Sequence, residues 1–177
     1  MLNCMKSFFF AVATSLLFSI PGISHAQTST NNRVSPMDSV KAQIQNLDIE
    51  IVYSRPYLKG REFGKDIVPY GKLWRTGANE ATTFEISNDI AINDKVLPAG
   101  KYSLYTIPNE DKTIVIFNKE WNQWGTKYDE SQDVLRIEVP TEKIDEPVEQ
   151  FTIEVEDDGD VELAWGTFEC GFKIKES

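Results

Sequence analysis

Between Tyr53 and Thr83 the chain gathers side chains that can do chemistry: Tyr53, Arg55, Tyr70, Trp74, Arg75, Asn79 and Glu80. Arg55 and Arg75 are planar forks suited to carboxylate or phosphate groups. Glu80 can pair with either arginine or act as an acid or base. Asn79 offers both a donor and an acceptor. Trp74 and Tyr70 offer flat apolar faces. Together they read as a binding set for a small polar or sugar-like ligand: an aromatic platform, an amide and a charged clamp. A structural reading stands beside this one. A buried Arg–Glu pair with tryptophan stacking fastens a long loop, and Gly77 and Asn79 take left-handed turn conformations. Residue types alone leave both readings open.

Histidine narrows the chemistry further. The only one is His25, inside a segment expected to be removed. The remaining domain then lacks the commonest general base and metal ligand, which excludes Ser-His-Asp triads, Cys-His dyads and histidine zinc sites. No Gly-rich phosphate loop is present, and neither a metal site nor a cofactor is expected. Asp157-Asp158-Gly159-Asp160 is too short and lacks the distal Glu of an EF-hand, so it reads as a hairpin turn. Trp121 and Trp124 suit a sugar-stacking platform on a loop, although such pairs more often close one end of a core. Tyr128, Asp129, Glu130 and Asp133 read as a solvated acidic loop.

The elements that must position these residues are strands. Period-two alternation runs through Leu47–Tyr53, Thr83–Ser87, Lys101–Tyr105, Thr113–Phe117, Val134–Val139, Gln150–Val155, Val161–Trp165 and Phe168–Ile174. Val40–Ile44 suits a further strand or a helical turn. Asn93-Asp94, Pro98-Ala99-Gly100, Pro108–Asp111 and Asp157–Asp160 punctuate the runs. About eight or nine short strands without a helical pattern predict an all-β fold, an antiparallel, jelly-roll-like β-sandwich. Cys170 lies in a strand and is expected to be buried.

Residues 1–26 read as a signal peptide: Lys6, an apolar stretch from Ser7 to Ile20, a Pro21-Gly22 break and a Ser24-His25-Ala26 cleavage site. Residues 27–34 read as a disordered leader and residues 35–177 as a single sandwich domain. Export to the periplasm or beyond is expected, with no membrane insertion after signal removal. Taking Lys6 away leaves 17 basic against 28 acidic residues, a net charge of −11. Such a chain repels phosphate backbones, so nucleic acid is excluded as a partner.

The chain resembles a family of domains of unknown function, number 2911. The resemblance rests on Tyr53-Ser54-Arg55-Pro56, Val68-Pro69-Tyr70-Gly71 and the nine residues from Trp74 to Thr82. It continues through Leu97–Leu104, Phe117-Asn118-Lys119, Asn122–Gly125 and Tyr128-Asp129. It implies a secreted bacterial β-rich domain and carries over no activity. Function is therefore weighed on residues. The leading expectation is a non-enzymatic ligand-binding or interaction module of the cell envelope, its partner a small polar or sugar-like ligand or an envelope protein. The alternative is a histidine-free carboxylate enzyme of lyase or glycoside-hydrolase type, using Glu80 with Arg55 or Arg75. A third reading makes the cluster an internal fastening of a structural protein.

Overall fold

A computed structural model describes residues 33–176. The expected signal peptide, and residues 27–32 of the expected leader, lie outside the described residues. The described chain contains eleven strands and one short 3-10 turn, Glu130–Gln132. The strands are β1 (Met37–Ile44), β2 (Leu47–Ser54), β3 (Phe63–Gly64), β4 (Ile67–Pro69), β5 (Thr82–Ile86) and β6 (Ile90–Ile92). They continue as β7 (Lys95–Leu97), β8 (Gly100–Ile107), β9 (Lys112–Asn118), β10 (Asp133–Val155) and β11 (Asp160–Glu176). Nine of them form one antiparallel sheet in the order β1-β2-β5-β8-β9-β10-β11-β6-β7. Only β3 and β4 pair separately, in parallel.

The sheet becomes a sandwich because β10 serves two layers. Its first part, Asp133–Pro140, pairs with β9, and its later part pairs with β11. Two runs expected as separate strands, Val134–Val139 and Gln150–Val155, are therefore ends of one strand. Between them lies a polar stretch with no apolar alternation. It stays extended because β11 supplies a partner, with register shifts around Val148. β11 likewise joins Val161–Trp165 to Phe168–Ile174 across Gly166, whose φ of +65° is open to glycine at little cost. Val40–Ile44 is strand.

Alternation puts one face of each strand inside. Ile49, Ile51 and Tyr53 of β2, Phe84 and Ile86 of β5, Leu104 of β8 and Phe117 of β9 meet Phe151, Leu163, Trp165 and Phe172 of the opposing layer in one core. Phe117 stands edge-on to both Phe84 and Phe172, at 5.2 and 5.7 Å. Cys170 is buried, and burial pushes its thiol up to about 12. Asp157–Asp160 forms the turn between β10 and β11, where Lys173 pairs with Asp158 and Asp160.

Candidate functional site

The opposite face of the β1-β2-β5-β8-β9 layer carries the site. In register across it run Ser39, Val52, Thr83, Ser103 and Asn118. Beside that row lies a second, Lys41, Glu50, Glu85 and Lys101. An outer face is ordinarily solvated, yet Ser103, Tyr105 and Asn118 are fully buried. The segment 119–132 covers them.

That segment is fastened by hydrogen bonds from the face it covers. Asn118 donates to the Asp129 carbonyl at 2.9 Å and the Asp133 carboxylate at 2.7 Å, and accepts from the Glu120 amide at 3.0 Å. Ser103 donates to the Glu120 carbonyl, and Tyr105 to the Lys127 carbonyl. Tyr128 donates to Asp133 at 2.7 Å, while Arg136 reaches both. Burial, and then the bond to Asp133, push the Tyr128 hydroxyl up to about 12. The expected solvated acidic loop is thus in part an internal fastening, with the Asp133 side chain only 9% exposed. Among the described residues, no buried side-chain polar atom lacks a partner, as an ordered loop over a polar surface requires.

A second segment, Trp74–Ala81, docks on the first. Trp74 exchanges backbone bonds with Thr106 at the far end of β8, and its indole donates to the Gly77 carbonyl at 3.0 Å. Gly77 has φ of +153°, and a Cβ there would stand 2.8 Å from Thr82 Oγ1 and 3.0 Å from the Ser54 carbonyl. Asn79 turns the chain at φ +62°. The Asn79 carbonyl then accepts from the Gly125 amide, and the Ala81 amide donates to the Gln123 carbonyl, both at 3.0 Å. The Arg75 side chain crosses Gly125 so closely that a Cβ there would collide with it. The nine-residue motif and Asn122–Gly125 are therefore one structural unit.

Between this unit and β1-β2 opens a groove of about 440 Å³. Trp121 and Trp124 wall it at 40% and 48% exposure, and Met37, Val52 and Thr83 line it. Asn122 and Gln123 add amides. Lys101 lies 5.0 Å from the Trp121 ring centroid and 2.8 Å from Glu85. Glu80 also lines the groove, and its carboxylate takes both bonds of Arg33, at 2.7 and 2.8 Å. The guanidinium holds the Glu80 carboxyl below the usual carboxylate range against a smaller opposing effect of burial. An ionised Glu80 accepts hydrogen bonds and is poorly placed to donate a proton.

The seven residues singled out from sequence do not form one site. Tyr53 and Glu80 line the groove. The Tyr53 hydroxyl accepts from the Ile153 amide, and its ring stands edge-on to Phe151. Trp74 is buried against Trp165, Phe151 and Phe63 rather than offered as a platform. Arg55 ties the layers together, donating to the Phe151 carbonyl, Thr152 and Asp38 at 2.8–2.9 Å. Arg75 donates to the Asn79 carbonyl and Asn79 to the Ser35 carbonyl. Tyr70 is 37% exposed, its ring edge-on to Phe63. The aromatic surface belongs instead to Trp121 and Trp124, where closure of a core was the favoured expectation. Asp129, Glu130 and Asp133 gather no metal-holding group; among the described residues none of three or more such side chains occurs.

Neither a curated protein nor a solved structure matches the chain. A family model does, over residues 35–174, from before β1 into β11. The match spans both docked segments and the groove, so the chain belongs to the family described as protein of unknown function (DUF2911).

Proposed function

We propose that this chain is a non-enzymatic binding module of the cell envelope that holds a sugar-like ligand against Trp121 and Trp124. The observation that carries the reading is the exposure of two indoles on one groove, beside amides and a paired carboxylate. Exposed aromatic surface on a rigidly held loop is costly unless something covers it. A sugar offers an apolar C–H face to stack on an indole and a rim of hydroxyls for Asn122, Gln123 and Glu80. Glu80, held ionised by Arg33, serves as an acceptor. The envelope location rests on the export signal read in residues 1–26.

The test is a tryptophan-fluorescence and thermal-shift titration of residues 27–177 with neutral monosaccharides and disaccharides. Trp121→Ala and Trp124→Ala run alongside. Saturable binding is expected in the wild type. At a hundredfold excess over Kd it adds about 2.7 kcal/mol of stability. The Trp124→Ala protein keeps its β circular dichroism and loses the shift. Binding that survives both substitutions, or no response to any sugar, refutes the reading.

A further inference from the structure

The Trp groove does not end at Lys101. A second groove, of about 500 Å³, lies on the same face of β1, β2 and β5, lined by Lys41, Gln43, Asp48, Glu50, Glu85 and Ser87. The two share a wall. Glu85 of the second groove is paired at 2.8 Å to Lys101 of the first, and Lys101 also lies over Trp121. Strand register makes the surface regular: the row Ser39-Val52-Thr83 is followed by Lys41-Glu50-Glu85-Lys101 and then by Gln43-Asp48. Successive rows are two residues apart, about 6.8 Å, so Thr83 to Ser87 spans about 14 Å. One sugar ring leaves most of that length uncovered.

The charged side chains of the second groove are net acidic, Asp48, Glu50 and Glu85 against Lys41. Its charges are paired across strands, Lys41 with Glu50 at 3.0 Å and Lys101 with Glu85 at 2.8 Å, with the two carboxylates side by side in the middle of the row. Asp48 accepts from Gln43 at 2.9 Å. Carboxylates and amides in such a row are hydrogen-bond partners for hydroxyls. Asp48, Glu50 and Glu85 outnumber the two lysines, and the whole chain carries −10, which disfavours anionic polymers.

Resting on the reading of the Trp groove given above, we infer that the ligand is a neutral oligosaccharide chain. One ring stacks at Trp121 and Trp124, and the following rings lie along the Lys41-Glu50-Glu85-Lys101 row. The Lys101–Glu85 pair marks the junction between the two subsites.

The experiment is calorimetric titration of residues 27–177 with neutral oligosaccharides of one to six rings. Three series are used: β-1,4-glucose, α-1,4-glucose and β-1,4-N-acetylglucosamine. The proteins are the wild type, Trp124→Ala, and the double variant Asp48→Ala/Glu50→Ala, whose two positions line the second groove alone, each checked for folding by circular dichroism. In one series affinity is expected to rise at least tenfold between one and four rings. The double variant loses that gain while binding a single ring as the wild type does. Equal affinity for one ring and six overturns the extended trough and leaves the Trp site standing. Tighter binding of a uronic-acid oligosaccharide of equal length overturns the neutral assignment. No binding by any sugar overturns both readings.

Discussion

Replacing Asn118 with alanine tests whether the fastening of segment 119–132 determines both stability and the shape of the groove. Asn118 is fully buried and makes three hydrogen bonds to that segment and to Asp133, at 2.7, 2.9 and 3.0 Å. The bond to the Asp133 carboxylate is charge-assisted and contributes about 1.5–3 kcal/mol, and each of the others about 0.5–1.5. Truncation also strands the Glu120 amide and the Asp129 carbonyl under the loop, because alanine offers neither a donor nor an acceptor. The expected loss is about 3–5 kcal/mol, a large share of the 5–15 kcal/mol typical of a domain. For a domain of this size it lowers Tm by roughly 10 °C. Urea denaturation followed by far-ultraviolet circular dichroism measures the loss as a fall in midpoint at constant slope. Tryptophan emission should shift to the red before the main transition, since Trp121 and Trp124 ride on the released segment. Ser131→Ala is the control: its hydroxyl meets Asp129 at an exposed site, and the change should stay within about 0.5 kcal/mol. A loss below about 1 kcal/mol for Asn118→Ala, with emission unchanged, would refute the view that this side chain holds the segment down.

Three further outcomes follow from the same geometry. Trp74→Ala removes an indole packed between Phe63, Phe151 and Trp165 and should cost about 3–5 kcal/mol by denaturant midpoint; a loss under about 1 kcal/mol would put Trp74 outside the core. Cys170, with its thiol pushed up to about 12 by burial, should resist a thiol reagent at pH 8 in the native protein and react at once in urea; rapid native labelling would contradict its burial. Glu80 has a folded-state pKa depressed by Arg33, so its contribution is present above the ordinary carboxylate pKa and fades as pH falls through the depressed value. With the pair 31% and 39% exposed, solvent screening keeps that contribution to roughly 1 kcal/mol or less. Glu80→Gln should therefore flatten a small part of the acid limb of the stability profile, and a loss of several kcal/mol at neutral pH would mark a dry, buried pair instead.

Much of the fold is legible one strand at a time. Ile49 and Ile51 of β2, Phe84 and Ile86 of β5, and Tyr102 and Leu104 of β8 stand two residues apart on their strands, and that period alone turns them inward. The same period turns Val52, Thr83 and Ser103 outward and says nothing of what then covers them. The cluster from Tyr53 to Glu80 stays open to both a binding and a fastening reading in the sequence, because residue type does not reveal direction. Trp74 has the chemistry of a platform and the position of a core residue. Trp124 has the same chemistry, and its direction is set by the Glu80–Trp124 bridge and by Arg75 crossing Gly125.

The sequence by itself determined the class of fold, the inner face of each strand, the hairpin at Asp157–Asp160 and the burial of Cys170. Each depends on residues close together in the chain or on composition. Tertiary structure decided the site. Arg33 meets Glu80 across 47 positions, Arg55 meets Phe151 across 96, and Asn118 holds a loop that leaves two tryptophans facing solvent. Those pairings are chosen by how the two layers close, because a buried polar group takes whichever partner the fold brings within reach. Local periodicity carries no record of that choice.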